Sequence, residues 1–271
     1  MSVKNVLISG INGRMGRLTA NLLAGNPDYK LTLALGKAKA SYIGQNLGKY
    51  LNIEAFNNLI ITDKIDFTQE KIDIVIDFTD REFCLELGLK AISHKIPFVT
   101  GTSGITSDIL VKFNQAVREY DTPILIVPNF SLGAVLMIEF ASQASKWFDN
   151  VEIIELHDPQ KTDAPSGTAL YTIDKMESLA KLFNVSSTQE DELIESVRGG
   201  KSKSGIRVHS LRLPGLISHQ EVDFGSSGEL LKITHSSFNT NCFSKGIMLA
   251  LNKVTNLKGL TRGLENILTI D

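Results

Sequence analysis

The 271-residue sequence predicts an α/β chain in two parts: a doubly wound parallel sheet, then an α+β domain with a mixed open sheet. Two observations carry the first part. Short apolar, β-branched runs alternate with helical patterns from the N-terminus to about Val127, as strands joined by crossover helices do. The first of these runs, Asn5 to Ser9, feeds a glycine-rich turn that opens a helix. A third observation carries the second part. The runs Ile206–Leu213, His219–Phe224 and Glu229–Ser236 follow one another without helices between them, the habit of an antiparallel or mixed sheet.

Bulk properties narrow the function. Hydrophobic residues make up 42% of the chain, enough for a core, and the net charge of −2 does not favour nucleic acid as a partner. Cys84 and Cys242 stand far apart without a CxxC pattern, which implies neither a disulfide framework nor a zinc site. The five histidines lack metal-ligand spacing, so no metal is expected. No run is long and apolar enough to span a bilayer, and no basic-then-apolar leader precedes the first strand. The expectation is a soluble cytoplasmic protein with no membrane partner.

The glycine turn reads Gly10-Ile11-Asn12-Gly13-Arg14-Met15-Gly16. Gly10 permits a tight turn, Gly13 lets the backbone approach a pyrophosphate, and Gly16 permits close helix–strand packing. The spacing is GxxGxxG, with Asn12 where the commoner motif has its second glycine, so on its own the signal is moderate. Strand, turn and helix in this order make a Rossmann-like nucleotide site. The second strand, Lys30–Leu35, ends in Gly36-Lys37-Ala38-Lys39 rather than in the carboxylate that takes the ribose hydroxyls of NAD. Lys37, Lys39 and Arg14 read either as partners for a 2′-phosphate, favouring NADPH at least equally with NADH, or as solvated surface cations.

Ile72–Phe78 reads as a buried parallel strand, Arg81–Ser93 as a helix closed by His94, and Pro97–Thr100 as a strand leading to Gly101-Thr102-Ser103-Gly104. Small residues at the carboxyl end of a strand lie where open α/β sheets bind ligands. A helix, Ser107–Tyr120, and a strand, Pro123–Val127, complete the alternation. The rhythm breaks at Pro128-Asn129-Phe130-Ser131-Leu132-Gly133. A dinucleotide-binding domain is therefore expected over 1–128, completed by 241–271, with a substrate-binding and oligomerisation domain over 129–240.

In the second domain a helix is expected over Ala134–Phe148 with Trp147 in the core, then a strand, Val151–Leu156. The stretch from His157 to Leu170 holds the chemistry. His157 carries a proton near neutral pH, Lys161 is a cation four residues on, and Ser166-Gly167-Thr168 offers N–H groups and a hydroxyl at a helix start that favours anions. Pro165 suits the first turn of that helix, expected from near Ala164 to about Phe183. Together these residues suit a small carboxylate substrate, although a polar loop with a well-capped helix reads the same way. The basic, glycine-rich loop Asn184–Gly205 reads as a lid or as a solvated loop, and Gly225–Gly228 as a hairpin turn. His209, His219 and His235 read as structural. A helix over Phe243–Val254 returns to the first domain, and Leu257–Ile270 closes the chain.

The chain resembles the 4-hydroxy-tetrahydrodipicolinate reductase (dihydrodipicolinate reductase) family over nearly its whole length. The motifs are Gly10–Gly16, Asp77-Phe78-Thr79, Gly101-Thr102, Pro128-Asn129-Phe130-Ser131, the specific block Lys161-Thr-Asp-Ala-Pro-Ser-Gly-Thr168, His209–Gly215 and His219-Gln-Glu. The resemblance implies NADPH- or NADH-dependent reduction of a cyclic imine dicarboxylate by a homotetramer. It implies His157 as proton donor, Lys161 as catalytic lysine, Gly167 and Thr168 as the carboxylate-holding pair, and Gly10–Met15, Gly101–Ser103 and Val127–Phe130 as cofactor-contacting turns. Val127, Pro128, Asn129 and Phe130 thereby join the expected cofactor set. The sequence departs from the family at Asp158, where a second histidine is common, and at Thr240, where an arginine is common. Asp158 beside a dianion is unfavourable unless it points away or pairs with Lys161. Two rival functions follow: reduction of a different imine or keto dicarboxylate, and nucleotide binding without catalysis.

Overall fold

A computed structural model, describing residues 2–186, 188 and 190–268, divides the chain into two compact units. One takes in the chain as far as Phe130 and again from Phe243; the other is Ser131–Cys242. The first opens with β1 (Lys4–Ser9), α1 (Arg14–Leu23), β2 (Tyr29–Leu35), α2 (Leu47–Leu51), β3 (Ile61–Thr62), β4 (Ile74–Asp77), α3 (Arg81–Ser93), β5 (Phe98–Thr100), α4 (Ser107–Tyr120) and β6 (Ile124–Ile126). The second holds α5 (Leu132–Ala144), β7 (Asn150–His157), α6 (Gly167–Glu177), β8 (Gly200–Lys201), β9 (Arg207–Arg212), β10 (Ser218–Ser226) and β11 (Glu229–Ser237). Then α7 (Ser244–Val254) and β12 (Leu260–Arg262) rejoin the first unit. Residues 269–271, at the end of the expected closing segment, lie outside the described residues.

The first unit is a parallel seven-stranded sheet in the order β12-β6-β5-β4-β1-β2-β3. Its central strands are covered on both faces, so they are apolar at consecutive positions: Val6, Leu7 and Ile8 in β1 and Ile74, Val75 and Ile76 in β4 are fully buried. The order reverses between β1 and β4, and this switch point sets the carboxyl ends of β1, β4, β5 and β6 side by side. Helix α3 begins where the Asp80 carboxylate accepts N–H bonds from Glu82 and Phe83 at 3.1 and 3.0 Å. It ends at His94, whose ring nitrogen lies 2.8 Å from the Lys90 carbonyl.

The second unit is a mixed five-stranded sheet, β11-β10-β7-β9-β8, in which β7 and β9 run parallel and the other pairs antiparallel. Alternation along β7 sends Val151, Ile153, Glu155 and His157 to one buried face. There the apolar residues of the strand pack with Ala141, Ile173, Met176, Val208, Val222 and Phe224. A two-residue turn, Ser227-Gly228 with Gly228 at φ +91°, joins β10 to β11.

Four expectations need correction. Helix α5 stops at Ala144, and Trp147 in the following turn is 85% exposed rather than in the core. Helix α6 starts at Gly167, with Ser166 as its cap, so Pro165 lies before the helix instead of in its first turn. The same helix ends at Glu177. Phe183 is buried outside it, its N–H bonded to the Ser204 carbonyl at 2.7 Å. Part of the basic loop is sheet: Gly200–Lys201 pairs with β9, and Arg198 is bound to Glu152 and Glu190.

Helix α7 packs against β5, β6 and α1 with a glycine at its tightest point. A Cβ on Gly246 would lie 1.9 Å from the Phe130 carbonyl oxygen. Gly246→Ala should therefore lower stability in urea by about 1–3 kcal/mol. Gly225→Ala, with open space around its Cβ, should stay within about 0.5 kcal/mol. Equal midpoints for the two variants would refute the close approach.

Candidate active site

At the carboxyl end of β1, the chain leaves a cluster of backbone N–H groups open at a helix start. Gly10 turns with φ +79°, and a Cβ there would meet the Phe78 carbonyl oxygen at 2.7 Å. Gly16 is as constrained, its Cβ position lying 2.3 Å from the Gly10 carbonyl oxygen. Gly13 caps α1 without a side chain, and the first intrahelical bond runs from Arg17 N–H to the Gly13 carbonyl at 3.0 Å. The N–H groups of Arg14, Met15 and Gly16 carry no hydrogen bond among the described residues. Three open donors at a positive helix end fit a pyrophosphate.

The other expected cofactor residues divide by what remains available on them. Gly10 and Ile11 both donate their N–H to the Leu35 carbonyl at 3.1 Å, and the Ile11 side chain is fully buried, so neither offers a free amide. Asn12 is held by Arg17, which donates to its carbonyl at 3.0 Å and its side-chain oxygen at 2.8 Å, and by the Tyr50 hydroxyl. Lys37 and Lys39 are exposed at the end of β2. Gly101 lies under Phe78 and Phe130; a Cβ there would come within 2.7 Å of the Phe130 ring. Val127 and Phe130 are buried, Asn129 partly so, while Ser103 and Pro128 are exposed.

Asp77, which the sequence reading gave no role, ties these turns together. Its fully buried carboxylate accepts hydroxyl bonds from Thr79 at 2.7 Å, Thr100 at 3.2 Å and Thr102 at 2.7 Å. Thr102 is thus committed to shaping its turn. Cys84 lies against Thr100 at 3.3 Å, and burial, followed by the nearby Asp77 charge, pushes its thiol up to about 12. Arg17 is also new to the site. It stacks over the Tyr50 ring at 4.9 Å, beside Asn12, although its place in a helical pattern gave no sign of this.

The second unit places His157 at the end of β7, buried, with its Nδ1 2.5 Å from Glu155 Oε2. Parallel register sets Arg212 of β9 beside His157. Arg212 donates to both oxygens of Glu155, at 3.0 and 2.8 Å, and to the Asp163 carbonyl at 2.7 Å. Burial alone would raise the Glu155 carboxyl; bonds from Arg212, Ser210 and His157 outweigh it and hold the group below the usual carboxylate range. Burial pushes His157 below an ordinary histidine, partly offset by Glu155. Neither Glu155 nor Arg212 was foreseen.

Lys161 reaches Asp163, not Asp158, with Nζ contacts of 2.7 and 2.9 Å. Asp158 turns to its own loop and accepts the Gln160 N–H at 2.9 Å. At the start of α6, Ser166 accepts the Ala169 N–H at 3.2 Å and donates its own N–H to Glu155 at 3.3 Å. The N–H groups of Gly167 and Thr168 carry no hydrogen bond among the described residues. His157, Lys161 and this helix start thus supply a proton, a cation and two donors. Among the described residues no group of three or more His, Cys, Asp or Glu side chains is placed to hold a metal, and no helix is long and apolar enough to cross a membrane.

Comparison with known proteins also breaks the chain near residue 130, although the second match runs on past Cys242, where the second unit ends. The family described as dihydrodipicolinate reductase, N-terminus, matches residues 4–130, and dihydrodipicolinate reductase, C-terminus, matches 133–268. The 4-hydroxy-tetrahydrodipicolinate reductase of Synechococcus elongatus is 36% identical, covering 97% of this chain and 98% of its own length. That of Rippkaea orientalis is 39% identical, covering 97% of each. Among solved structures, a dipicolinate-bound dihydrodipicolinate reductase from Paenisporosarcina sp. superposes with a TM-score of 0.88 at 33% identity, covering 98% of this chain and all of that one.

The Cys84 environment is open to a direct test. In a Cys242→Ser background the folded protein should leave Ellman's reagent almost unreacted at about pH 8, because the remaining thiol is buried and its thiolate scarce. Unfolding in guanidinium should release one equivalent. Rapid reaction of the folded protein would refute the buried network.

Proposed function

The chain belongs to the dihydrodipicolinate reductase family, and from that premise we propose the following reaction for it. It reduces 4-hydroxy-tetrahydrodipicolinate, by way of dihydrodipicolinate, to tetrahydrodipicolinate in lysine/diaminopimelate biosynthesis, with NADPH or NADH as reductant. The observation that carries the reading is His157 fixed on Glu155, with Lys161 and the open amides of Gly167 and Thr168 on the same segment.

The residues of the first unit fit a dinucleotide: the amides of Arg14, Met15 and Gly16 for its pyrophosphate, and the turns at Gly101–Ser103 and Val127–Phe130 along the sheet ends. Bound there, a reduced nicotinamide supplies the hydride. The protein's own work is to hold the dicarboxylate, stabilise charge and deliver a proton. Gly167 and Thr168 hold one carboxylate by N–H donors at the helix start. Lys161 holds the other charge after exchanging Asp163 for substrate. That exchange is easy, because the Lys161–Asp163 pair is exposed and pairs of this kind are worth about 0–1 kcal/mol. His157 donates from Nε2, the ring atom that Glu155 leaves free. The depressed pKa of the free protein makes it a willing donor, and a bound dianion favours its charged form.

The orientation of Asp158 toward Gln160 favours the family substrate over a different one, since the carboxylate is engaged within its own loop. We assign the assembled form as a homotetramer in the cytoplasm. Leu211, Leu213, Ile217 and Leu230 support assembly: all are exposed, on β9, on the loop after it and on β11.

The deciding assay generates the imine in situ and follows oxidation of NADPH or NADH optically. Turnover is expected with both. Lys161→Ala should lower kcat by roughly 10²–10⁴-fold, the scale of a lost charge stabiliser or acid. An unchanged rate would remove Lys161 from the chemistry, and no turnover on this imine would refute the substrate.

Lys37 and Lys39 bear on cofactor choice. Replacing both with alanine should raise the KM for NADPH about tenfold, the scale of one lost charged hydrogen bond, while the KM for NADH stays within about twofold. Parallel changes for the two cofactors would show that these lysines do not read the 2′-phosphate.

A further inference from the structure

Glu155 is fully buried, so its charge must be compensated inside the protein. Arg212 supplies the opposite charge with two hydrogen bonds, and Ser166 and Ser210 add to them. A purely structural ion pair needs nothing more. Yet the Glu155 oxygen that accepts from Arg212 Nη1 also lies 2.5 Å from His157 Nδ1. This is the geometry of a carboxylate that orients an imidazole.

We propose that Glu155, anchored by Arg212, is the positioning residue for His157: it accepts the Nδ1 proton and thereby makes Nε2 the atom that gives its proton away. The inference rests on His157 being the proton carrier. The step balances. The Nε2–H bond breaks, and the proton joins the carbon bearing the electron pair left by hydride addition. The ring is left neutral with its remaining proton on Nδ1, which is the tautomer Glu155 holds. Without Glu155 the neutral ring would be free to carry its proton on Nε2, and the charged ring would lose its nearest anion. The other charged groups around His157 are cations, Arg212 from β9 and Lys161 from the loop, the latter paired with Asp163. Its cross-strand neighbour on β10, Ser218, is uncharged. Glu155 is therefore the anion that favours imidazolium.

Two measurements decide the matter. In the pH profile of kcat/KM, activity that needs protonated His157 falls as pH rises through its pKa. Glu155→Gln should move that falling limb to lower pH and cut kcat roughly 10²–10⁴-fold, with a smaller change in KM. Glu155→Asp, which keeps the charge, should hold the limb closer to its original place. Independently, ¹⁵N shifts of the histidine rings in the unmodified protein, assigned with His157→Gln, should show the neutral ring protonated on Nδ1. This second measurement decides the question if Glu155→Gln does not fold. A neutral ring protonated on Nε2, or a limb unmoved in Glu155→Gln, would overturn the positioning role. A falling limb that persists in His157→Gln would instead overturn the proton-carrier reading.

Discussion

The second unit is organised by one requirement, that a carboxylate with no access to water be neutralised where it stands. Glu155 occupies a core-facing position on β7, next after Val151 and Ile153 on the same face. Its partner, Arg212, comes from β9, so the parallel register of these strands fixes the ion pair, and the pair disfavours any slip of the register. The same two side chains reach the Ser166 amide and the Asp163 carbonyl. A strand pair, the loop from His157 to Pro165 and the start of α6 thus converge on one charge pair. Removing either partner would strand the other, a loss of about 3–5 kcal/mol for a buried pair.

Helices α1 and α6 both start with unpaired amides, but their caps set the number of amides differently. Helix α1 is capped by a glycine, which fills none of its donors; three N–H groups remain open. Helix α6 is capped by a serine, whose hydroxyl takes the third N–H and leaves two. The larger set suits a pyrophosphate and the smaller a single carboxylate. Cap chemistry, usually counted as helix stabilisation, thereby also sets how many donors each helix start leaves open.

Much of this was legible in the sequence where periodicity and punctuation agree. Helices α3 and α4 begin and end where their apolar spacing and flanking residues place them, and the strands other than β3, β8 and β12 fall within a few residues of their patterns; those three short strands showed no pattern that marked them. The glycine turn was readable because Gly10 needs a left-handed φ of +79° and Gly16 leaves no room for a Cβ against the Gly10 carbonyl. Trp147 misled because bulk was taken for burial, whereas α5 ends before it. Phe183 lies in the core without belonging to the helix that its spacing suggested. Glu155 and Arg212 escaped notice because they are 57 residues apart and each looks like an ordinary strand charge. One signal was present: along β7, Glu155 shares parity with Val151 and Ile153, so a charge stood where the pattern demanded an apolar side chain.

The return of α7 and β12 to the first unit has a consequence for how the protein is made. β6 has one neighbour from the early chain, β5, and its other neighbour, β12, lies near the C-terminus. As the polypeptide leaves the ribosome, the sheet therefore carries an open edge at β6 throughout synthesis of the intervening hundred-odd residues. The second unit is continuous in sequence and lacks this dependence. Domain order in the gene and order of completion are thus reversed: the part that is translated first is finished last.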